Sequence, residues 1–188
     1  KLNVQQPEVL AQAIHQVWTE LGPARRPDSA LILPDTSSRL TVLDFDRLPN
    51  DEKERLQLIR FRLKKAVPFD VQNARIAYQA WKTDSGFAVL VAITPAEIVE
   101  QYEQALKSTG LQPGYVSLST VVALNLVPNS EMNLFVKLSE DCLTMIACDI
   151  QAVRMVRSVE FTPSARKNVV DSPDLLLDEI IEDLYPTL

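Results

Sequence analysis

Histidine and cysteine are scarce in this sequence, and their scarcity excludes several kinds of chemistry. The 188 residues include one His and two Cys. A serine or cysteine nucleophile needs a basic partner, usually His. His15 is predicted to lie at the surface or boundary of an N-terminal helix and is a poor candidate for that partner. A zinc site needs more ligands than Cys142, Cys148 and one remote His supply. We therefore expect no catalysis of this kind, no metal site, and two buried thiols.

Excess positive charge and long apolar runs are also missing. The formal net charge of −6 argues against general nucleic-acid binding, which needs a basic surface. No apolar run approaches the roughly 20 residues that span a bilayer, and no signal-peptide pattern opens the sequence. A hydrophobic content of 46% suits one or two globular units. Because the first residue is Lys rather than Met, we expect a fragment of a longer chain.

Apolar periodicity and turn residues predict alternating helices and strands in the first two thirds of the chain. Thr94 and Glu97 have the spacing of a capping box at the start of one helix. The predicted elements are a helix over 7–21, strands over 30–33 and 40–45, a basic helix over 51–67, a hairpin of strands 75–81 and 87–93, a helix from 94 to 110, a strand over 115–118 and a helix over 119–127.

The last third has a different pattern. Three closely spaced extended segments, 134–138, 143–148 and 152–161, predict an antiparallel meander. A helix is predicted to start at Ser172, with Leu176, Ile180 and Leu184 on one face and acidic residues on the other. The predicted boundary before the meander lies near Pro128.

The basic helix carries apolar residues on two sides. On a helical wheel Leu58 and Phe61 fall roughly opposite the stripe that should face the core, which is Leu56, Ile59, Leu63, Ala66 and Val67. One explanation is a second internal layer or scattered exposed apolar residues, which are common. The other is a contact surface for another protein or for a missing part of this chain. The candidate partner-binding residues are Leu58, Phe61, Arg62, Lys65, Pro68 and Phe69.

An ordered set of segments resembles a known family. The set is "ALILPDTSSRLTVLDFDRLP", a charged helix ending "KKAVPFD", then "ARIAYQAW" and "AVLVAITPAEIVEQYEQALKSTGLQPGYVSLSTVVALNL". In this order the segments resemble the PilM family of type IV pilus assembly proteins, over about residues 4–161.

The resemblance implies a fold, a partner and a location. The fold is α/β, a fragment of the actin-like ATPase (ribonuclease-H-like) fold with an insert subdomain similar to that of the cell-division protein FtsA. Residues 1–29 would be the helix and connector of the first actin-like domain, 30–130 the insert with its return strand and helix, and 131–188 the start of the second. The family is cytoplasmic, peripheral to the inner membrane, and binds the short N-terminal tail of the membrane protein PilN. Other platform proteins and a second copy of the chain are further possible partners.

The sequence departs from that family at a phosphate-binding turn. Actin-like folds cradle phosphates with glycine-bearing hairpins and hold magnesium with an Asp. At the corresponding turn this chain has Lys137, Leu138, Ser139, Glu140 and Asp141, without a glycine to let the backbone wrap an anion. We therefore expect no nucleotide, no other cofactor and no catalysis.

The sequence leaves four functions open. The leading one is a non-catalytic scaffold of a type IV pilus platform. A type II secretion platform protein shares the fold and would be favoured by a following membrane span in the full gene. An actin-like ATPase or kinase would need the nucleotide site. A ribonuclease-H-type nuclease would need an acidic residue where Lys137 stands, because its carboxylates hold two metals.

Overall fold

The computed structural model describes residues 4–22, 29–127 and 131–161, which form helices and strands in mixed order. The described helices are α1 (Pro7–Leu21), α2 (Glu52–Leu63), α3 (Ala96–Ser108) and α4 (Ser119–Ala123). The described strands are β1 (Ser29–Leu33), β2 (Arg39–Phe45), β3 (Ala74–Thr83), β4 (Gly86–Pro95), β5 (Pro113–Leu118), β6 (Met132–Leu138), β7 (Cys142–Asp149) and β8 (Val153–Glu160).

The strands form three small sheets. β1 and β5 pair in parallel, although about eighty residues separate them along the chain, as a crossover connection allows. β2, β4 and β3 form an antiparallel sheet with β4 in the centre. β6, β7 and β8 form an antiparallel meander. The predicted meander is therefore confirmed, whereas the parallel pairing of β1 with β5 could not be read from the sequence.

The central strand β4 is buried on both of its faces. Successive side chains of a strand point to opposite faces, so Val89, Val91 and Ile93 join one core cluster with α2. Leu90 joins a second cluster on the other face, where β1, β5, α3 and the meander pack. This double burial explains why the strand reads as a continuous apolar run rather than an alternating one.

The second cluster unites the three sheets. Its members come from β1, β2, β4, β5, α3, β7 and β8, and they are Leu33, Leu40, Leu90, Val99, Leu118, Ile146 and Val153. The meander is therefore packed against the rest of the described chain. The division of the chain at residues 29 and 130 stays a prediction.

Helix α2 ends four residues earlier than predicted. Asp51 caps its start by accepting a hydrogen bond from the backbone N–H of Glu54 at 3.0 Å. At the other end the N–H of Ala66 donates to the carbonyl of Leu63 at 2.8 Å, which tightens the last turn. Pro68 disfavours helical geometry at the residue before it, so the chain leaves the helix before Val67.

Two other helix predictions were wrong in part, and a third concerns residues outside the described ranges. Thr94 does not cap α3: it belongs to β4, its side chain is buried against Ser38, and Pro95 takes the capping position without a side-chain bond. The segment 119–127 is a short α-helix followed by a 3-10 turn, Leu124–Leu126. The helix predicted from Ser172 lies outside the described residues. The helix over Pro7–Leu21 is confirmed, with Gly22 in the left-handed conformation at its end.

Candidate functional site

The turn between β6 and β7, where a phosphate hairpin would lie, is held by internal contacts. The ammonium group of Lys137 lies 2.7 Å from a carboxylate oxygen of Asp35 and donates to the hydroxyls of Ser119 at 2.9 Å and Ser139 at 3.2 Å. The backbone N–H of Ser139 donates to the carbonyl of Cys142 at 2.8 Å. The positive charge and an amide that an anion would need are therefore both engaged.

Asp35 is the centre of this network. Its carboxylate accepts hydrogen bonds from the backbone N–H of Thr120 at 3.0 Å and from the Thr120 hydroxyl at 2.6 Å, at the start of α4. Burial by itself raises the pKa of Asp35, but the hydrogen bonds from Lys137 and Thr120 outweigh burial and hold the pKa below its usual value of 3.8. The carboxylate is thus ionised and links the meander to the end of β1 and the start of α4.

The acidic residues of the turn between β6 and β7 also disfavour the binding of a phosphate. Glu140 is exposed, and Asp141 is half-buried, where a carboxylate oxygen accepts a weak hydrogen bond from Thr36 at 3.4 Å. The Asp141 carbonyl accepts from the backbone N–H of Phe161 at 2.9 Å. Two carboxylates beside a turn without glycine repel a phosphate. The residues of this turn therefore do not fit a magnesium nucleotide.

The remaining chemistry-bearing residues do not assemble into a catalytic group. Within the described ranges, no three side chains from His, Cys, Asp and Glu are placed to share a metal ion. Cys142 is buried and Cys148 half-buried, and burial raises the pKa of both thiols. His15 lies on the exposed side of α1. In the part of the chain that is described, no helix is long and apolar enough to cross a bilayer.

The six candidate partner residues on and after α2 differ in exposure. Phe61 is 74% exposed, and Arg62, Lys65 and Pro68 are exposed as well. Leu58 and Phe69 are half-buried and pack against the cluster between α2 and the sheet. The wheel therefore separates Phe61 from the core correctly but places Leu58 too far from it. Of the predicted stripe, Ile59, Leu63 and Val67 are buried, Leu56 is half-buried, and Ala66 is exposed.

The arginines near α2 have structural contacts. The Arg62 guanidinium lies 5.3 Å from the centre of the Phe45 ring, within cation–π range. The Arg60 guanidinium donates to the carbonyls of Val71 and Ala74, which fixes the corner between α2 and β3. These arginines position the surface, and Phe61 with the neighbouring lysines is left to face solvent.

A groove that sequence reasoning missed lies between the open edges of β3 and β5. Among the described strands, each of these two pairs on one side only, β3 with β4 and β5 with β1. The cavity between them has a volume of about 310 Å³. Leu90 and Ala92 of β4 form part of its floor, Ala77 of β3 borders one side, and Tyr115 and Val116 of β5 border the other. No local sequence signal marks it, because it arises from two strands that are distant along the chain.

The groove suits an extended peptide. Unpaired N–H and C=O groups of an edge strand bind an added strand, and apolar pockets beside it select side chains. β3 offers ten residues of edge, and the groove floor is apolar. At one end of β3 the exposed pair Arg75 and Glu100, 3.5 Å apart, adds charged groups of both signs.

The described elements form an α/β fold. No family model matches the chain, and no curated protein sequence matches it. Among solved structures, the chain is similar to the "PilM-PilN type IV pilus biogenesis complex", with a TM-score of 0.76 and 16% identity over 98% of this chain and 64% of that one. The chain thus spans a little under two thirds of that protein's length.

Two further structures extend the comparison. The cytoplasmic domain of EpsL, an inner-membrane component of the type II secretion system of Vibrio cholerae, matches with a TM-score of 0.56 and 15% identity over 88% of this chain and 62% of that one. A protein of Bacteroides thetaiotaomicron with an actin-like ATPase fold and unknown function has a TM-score of 0.48 and 9% identity, over 92% of this chain and 72% of that one. The last similarity is too weak to support an argument.

Proposed function

We propose that this chain is a non-catalytic scaffold in the cytoplasmic platform of a type IV pilus, peripheral to the inner membrane, and that it binds the tail of a PilN-like membrane protein. The observation that carries the proposal is the shared fold: 98% of the chain superposes on the structure of a PilM-PilN complex. The residues quoted above in the order typical of the PilM family support it independently of the coordinates.

We place the tail in the groove between β3 and β5. A short cytoplasmic tail of a membrane protein is free to adopt an extended conformation, and the open edge of β3 offers backbone partners for it. The apolar floor formed by Leu90 and Ala92 would hold the side chains that point inward. This location differs from the surface that the sequence suggested around Phe61, and the two can be separated experimentally.

The proposal that the chain is not an enzyme is supported by the contacts of the turn at residues 137–141. Lys137 is committed to Asp35, and the Ser139 amide to Cys142. An ATPase or kinase would have to release both before a phosphate could bind. Lys137 also stands where a nuclease of the ribonuclease-H type would need a carboxylate for its metals.

A second candidate is the cytoplasmic part of a type II secretion platform protein, which the similarity to the EpsL domain favours. The two candidates make different predictions for the full gene. A membrane span following this region would favour the secretion protein, and a neighbouring gene for a PilN-like protein would favour the pilus scaffold.

The experiment is a titration of the protein with a fluorescently labelled peptide of the PilN-like tail. Ala77→Trp places a large ring in the groove and should weaken binding at least about tenfold, equivalent to about 1.4 kcal/mol. The control Ala66→Trp adds the same ring at an exposed position after α2 and should leave binding unchanged.

Three results would count against the proposal in different ways. If Ala66→Trp and Phe61→Glu weaken the tail and Ala77→Trp does not, the tail binds the α2 surface instead of the groove. If neither surface matters, the location is wrong altogether. If the unmodified protein fails to bind the tail, the scaffold assignment itself fails.

A further inference from the structure

The surface around the end of α2 combines an exposed aromatic ring with two exposed lysines. We call this surface the α2 patch, formed by Phe61, Lys64, Lys65 and the corner 67–72 that follows them. Phe61 lies in the last turn of α2, Lys64 and Lys65 follow directly after the helix, and all three side chains are exposed. Neither lysine forms an ion pair within the described ranges.

The charge of the patch contrasts with that of the chain as a whole. The chain has a net charge of −6, so a cluster of unpaired lysines makes a local field of the opposite sign. The charge of Asp70 reduces this field but does not reverse it, because residues 60–70 carry four basic side chains, Arg60, Arg62, Lys64 and Lys65, and one acidic side chain. The Asp70 carboxylate accepts hydrogen bonds from the backbone of Gln72 at 2.9 Å and from the side chain of Asn73 at 2.8 Å.

A cavity adjoins the lysines. An open cavity of about 450 Å³ is lined by Lys64 and residues 67–72. Val67 and Val71, both buried, line it, together with the half-buried Phe69. Lys64 and Asp70 add charged groups to its lining. The patch therefore offers a hollow with apolar side chains and charges of both signs in its lining, beside a protruding ring.

We propose that the α2 patch binds an acidic segment of a partner protein, with one apolar side chain of that segment in the cavity and its carboxylates facing Lys64 and Lys65. Exposed aromatic residues next to a pocket are frequent anchors of protein interfaces. Opposite charges on the two partners accelerate encounter and fix orientation. The partner is distinct from the tail in the groove, because α2 packs on the other face of the β2-β4-β3 sheet.

An anionic membrane is the competing occupant, and the geometry favours it less. A helix that lies on a bilayer needs a broad apolar face turned outward, whereas the apolar residues Ile59 and Leu63 of α2 face the core. Phe61 alone would enter the lipid. A concave hollow also has no counterpart on a flat membrane surface but suits a single side chain.

The test is binding of a synthetic helical peptide in which glutamates flank one leucine, measured by fluorescence anisotropy. The double substitution Lys64→Glu with Lys65→Glu, and separately Phe61→Ala, should each weaken binding at least about tenfold. The matched controls are Lys82→Glu on β3 and Val17→Ala on α1, both exposed, and they should bind like the unmodified protein. Raising the salt concentration should weaken binding as well, since the pairing charges are exposed.

Three results would overturn the inference. A peptide with lysines in place of the glutamates that binds equally well would show that charge does not select the partner. The patch would be a membrane contact if the protein sediments with phosphatidylglycerol vesicles but does not bind the glutamate peptide. The double substitution of Lys64 and Lys65 would then abolish the sedimentation. Failure of the glutamate peptide to bind up to about 1 mM, which corresponds to about −4 kcal/mol, would also refute it.

Discussion

Replacing Lys137 by methionine tests the network that closes the turn between β6 and β7. Methionine keeps most of the aliphatic chain but removes the ammonium group that lies 2.7 Å from Asp35. The Asp35 side chain is only 6% exposed, so water cannot replace the lost partner fully. The carboxylate would keep its two hydrogen bonds from Thr120.

The expected cost follows from these contacts. Removing one partner of a buried ion pair typically destabilises a protein by about 3–5 kcal/mol. Lys137 is 23% exposed and Thr120 still satisfies part of the carboxylate. We therefore expect Lys137→Met to lower the free energy of unfolding by about 2–3 kcal/mol, the size of a hydrogen bond to a charged group plus part of the desolvation cost.

The cost should depend on pH with a definite sign. The pKa of Asp35 in the folded protein lies below its ordinary value of 3.8, so its carboxylate stabilises the fold above that value and loses the stabilisation as the pH falls through the folded-state pKa. Without Lys137 a major cause of the lowered pKa is lost, so the folded-state pKa of Asp35 rises. The difference in stability between the two proteins should therefore shrink below about pH 4.

Urea unfolding at about pH 7 and about pH 3.5 measures this difference, with Lys82→Met as a control for loss of an exposed lysine. Asp35→Asn and the double variant complete a cycle that isolates the pair. A cost below about 0.5 kcal/mol at neutral pH, or one that stays constant with pH, would show that Lys137 and Asp35 do not hold the meander in place.

Three further predictions concern other parts of the chain. Phe61→Glu should change the free energy of unfolding by less than about 0.5 kcal/mol, whereas Ile59→Ala, in the core of the same helix, should cost about 2–5 kcal/mol; equal effects in urea unfolding would place Phe61 in the core. Gly86→Ala should destabilise by at least about 1 kcal/mol, because Gly86 has a φ of 143° and a methyl group there would meet the carbonyl of Phe45; an unchanged unfolding midpoint would contradict this. Millimolar magnesium ATP should produce no thermal shift, and a micromolar dissociation constant, about −8 kcal/mol, would favour the ATPase alternative.

Local patterns were enough to predict most of the elements. The apolar periodicity of α1 and the close spacing of the extended segments that become β6, β7 and β8 each depend on neighbours within a few residues. Such signals can be recognised in a sequence because they act on the backbone close to them. The same patterns failed where distant parts of the fold intervene. Thr94 has the spacing of a helix cap, yet the strand it ends buries its side chain against Ser38.

The features of the candidate sites likewise fall into two groups, those marked by a local sequence pattern and those that depend on residues distant in the sequence. That the 137–141 turn does not bind a phosphate stays a prediction, and it could be made from the sequence because a missing glycine is a local feature. The partner of Lys137 was not predictable, since Asp35 lies more than a hundred positions away in the sequence. The groove was missed for the same reason, as β3 and β5 become neighbours only when three sheets pack together. Charge and exposure near Phe61 were visible from the sequence, because a helical wheel already separates the two sides of α2.

The parallel pairing of β1 with β5 has a consequence for the order in which the chain folds. The β3–β4 hairpin and α2 lie close together in sequence, so their contacts form with little loss of chain entropy. Joining β1 to β5 closes a loop of about eighty residues. The entropic cost of closing a loop grows only slowly with its length, but the chain must meet this cost before the two strands gain any contact. If the segment between them has already collapsed into a compact unit, its ends are held near each other and that cost falls. We therefore expect the intervening sheet to form early and the parallel pair late, so that substitutions in β5 alter mainly the unfolding rate and substitutions in β4 alter the folding rate.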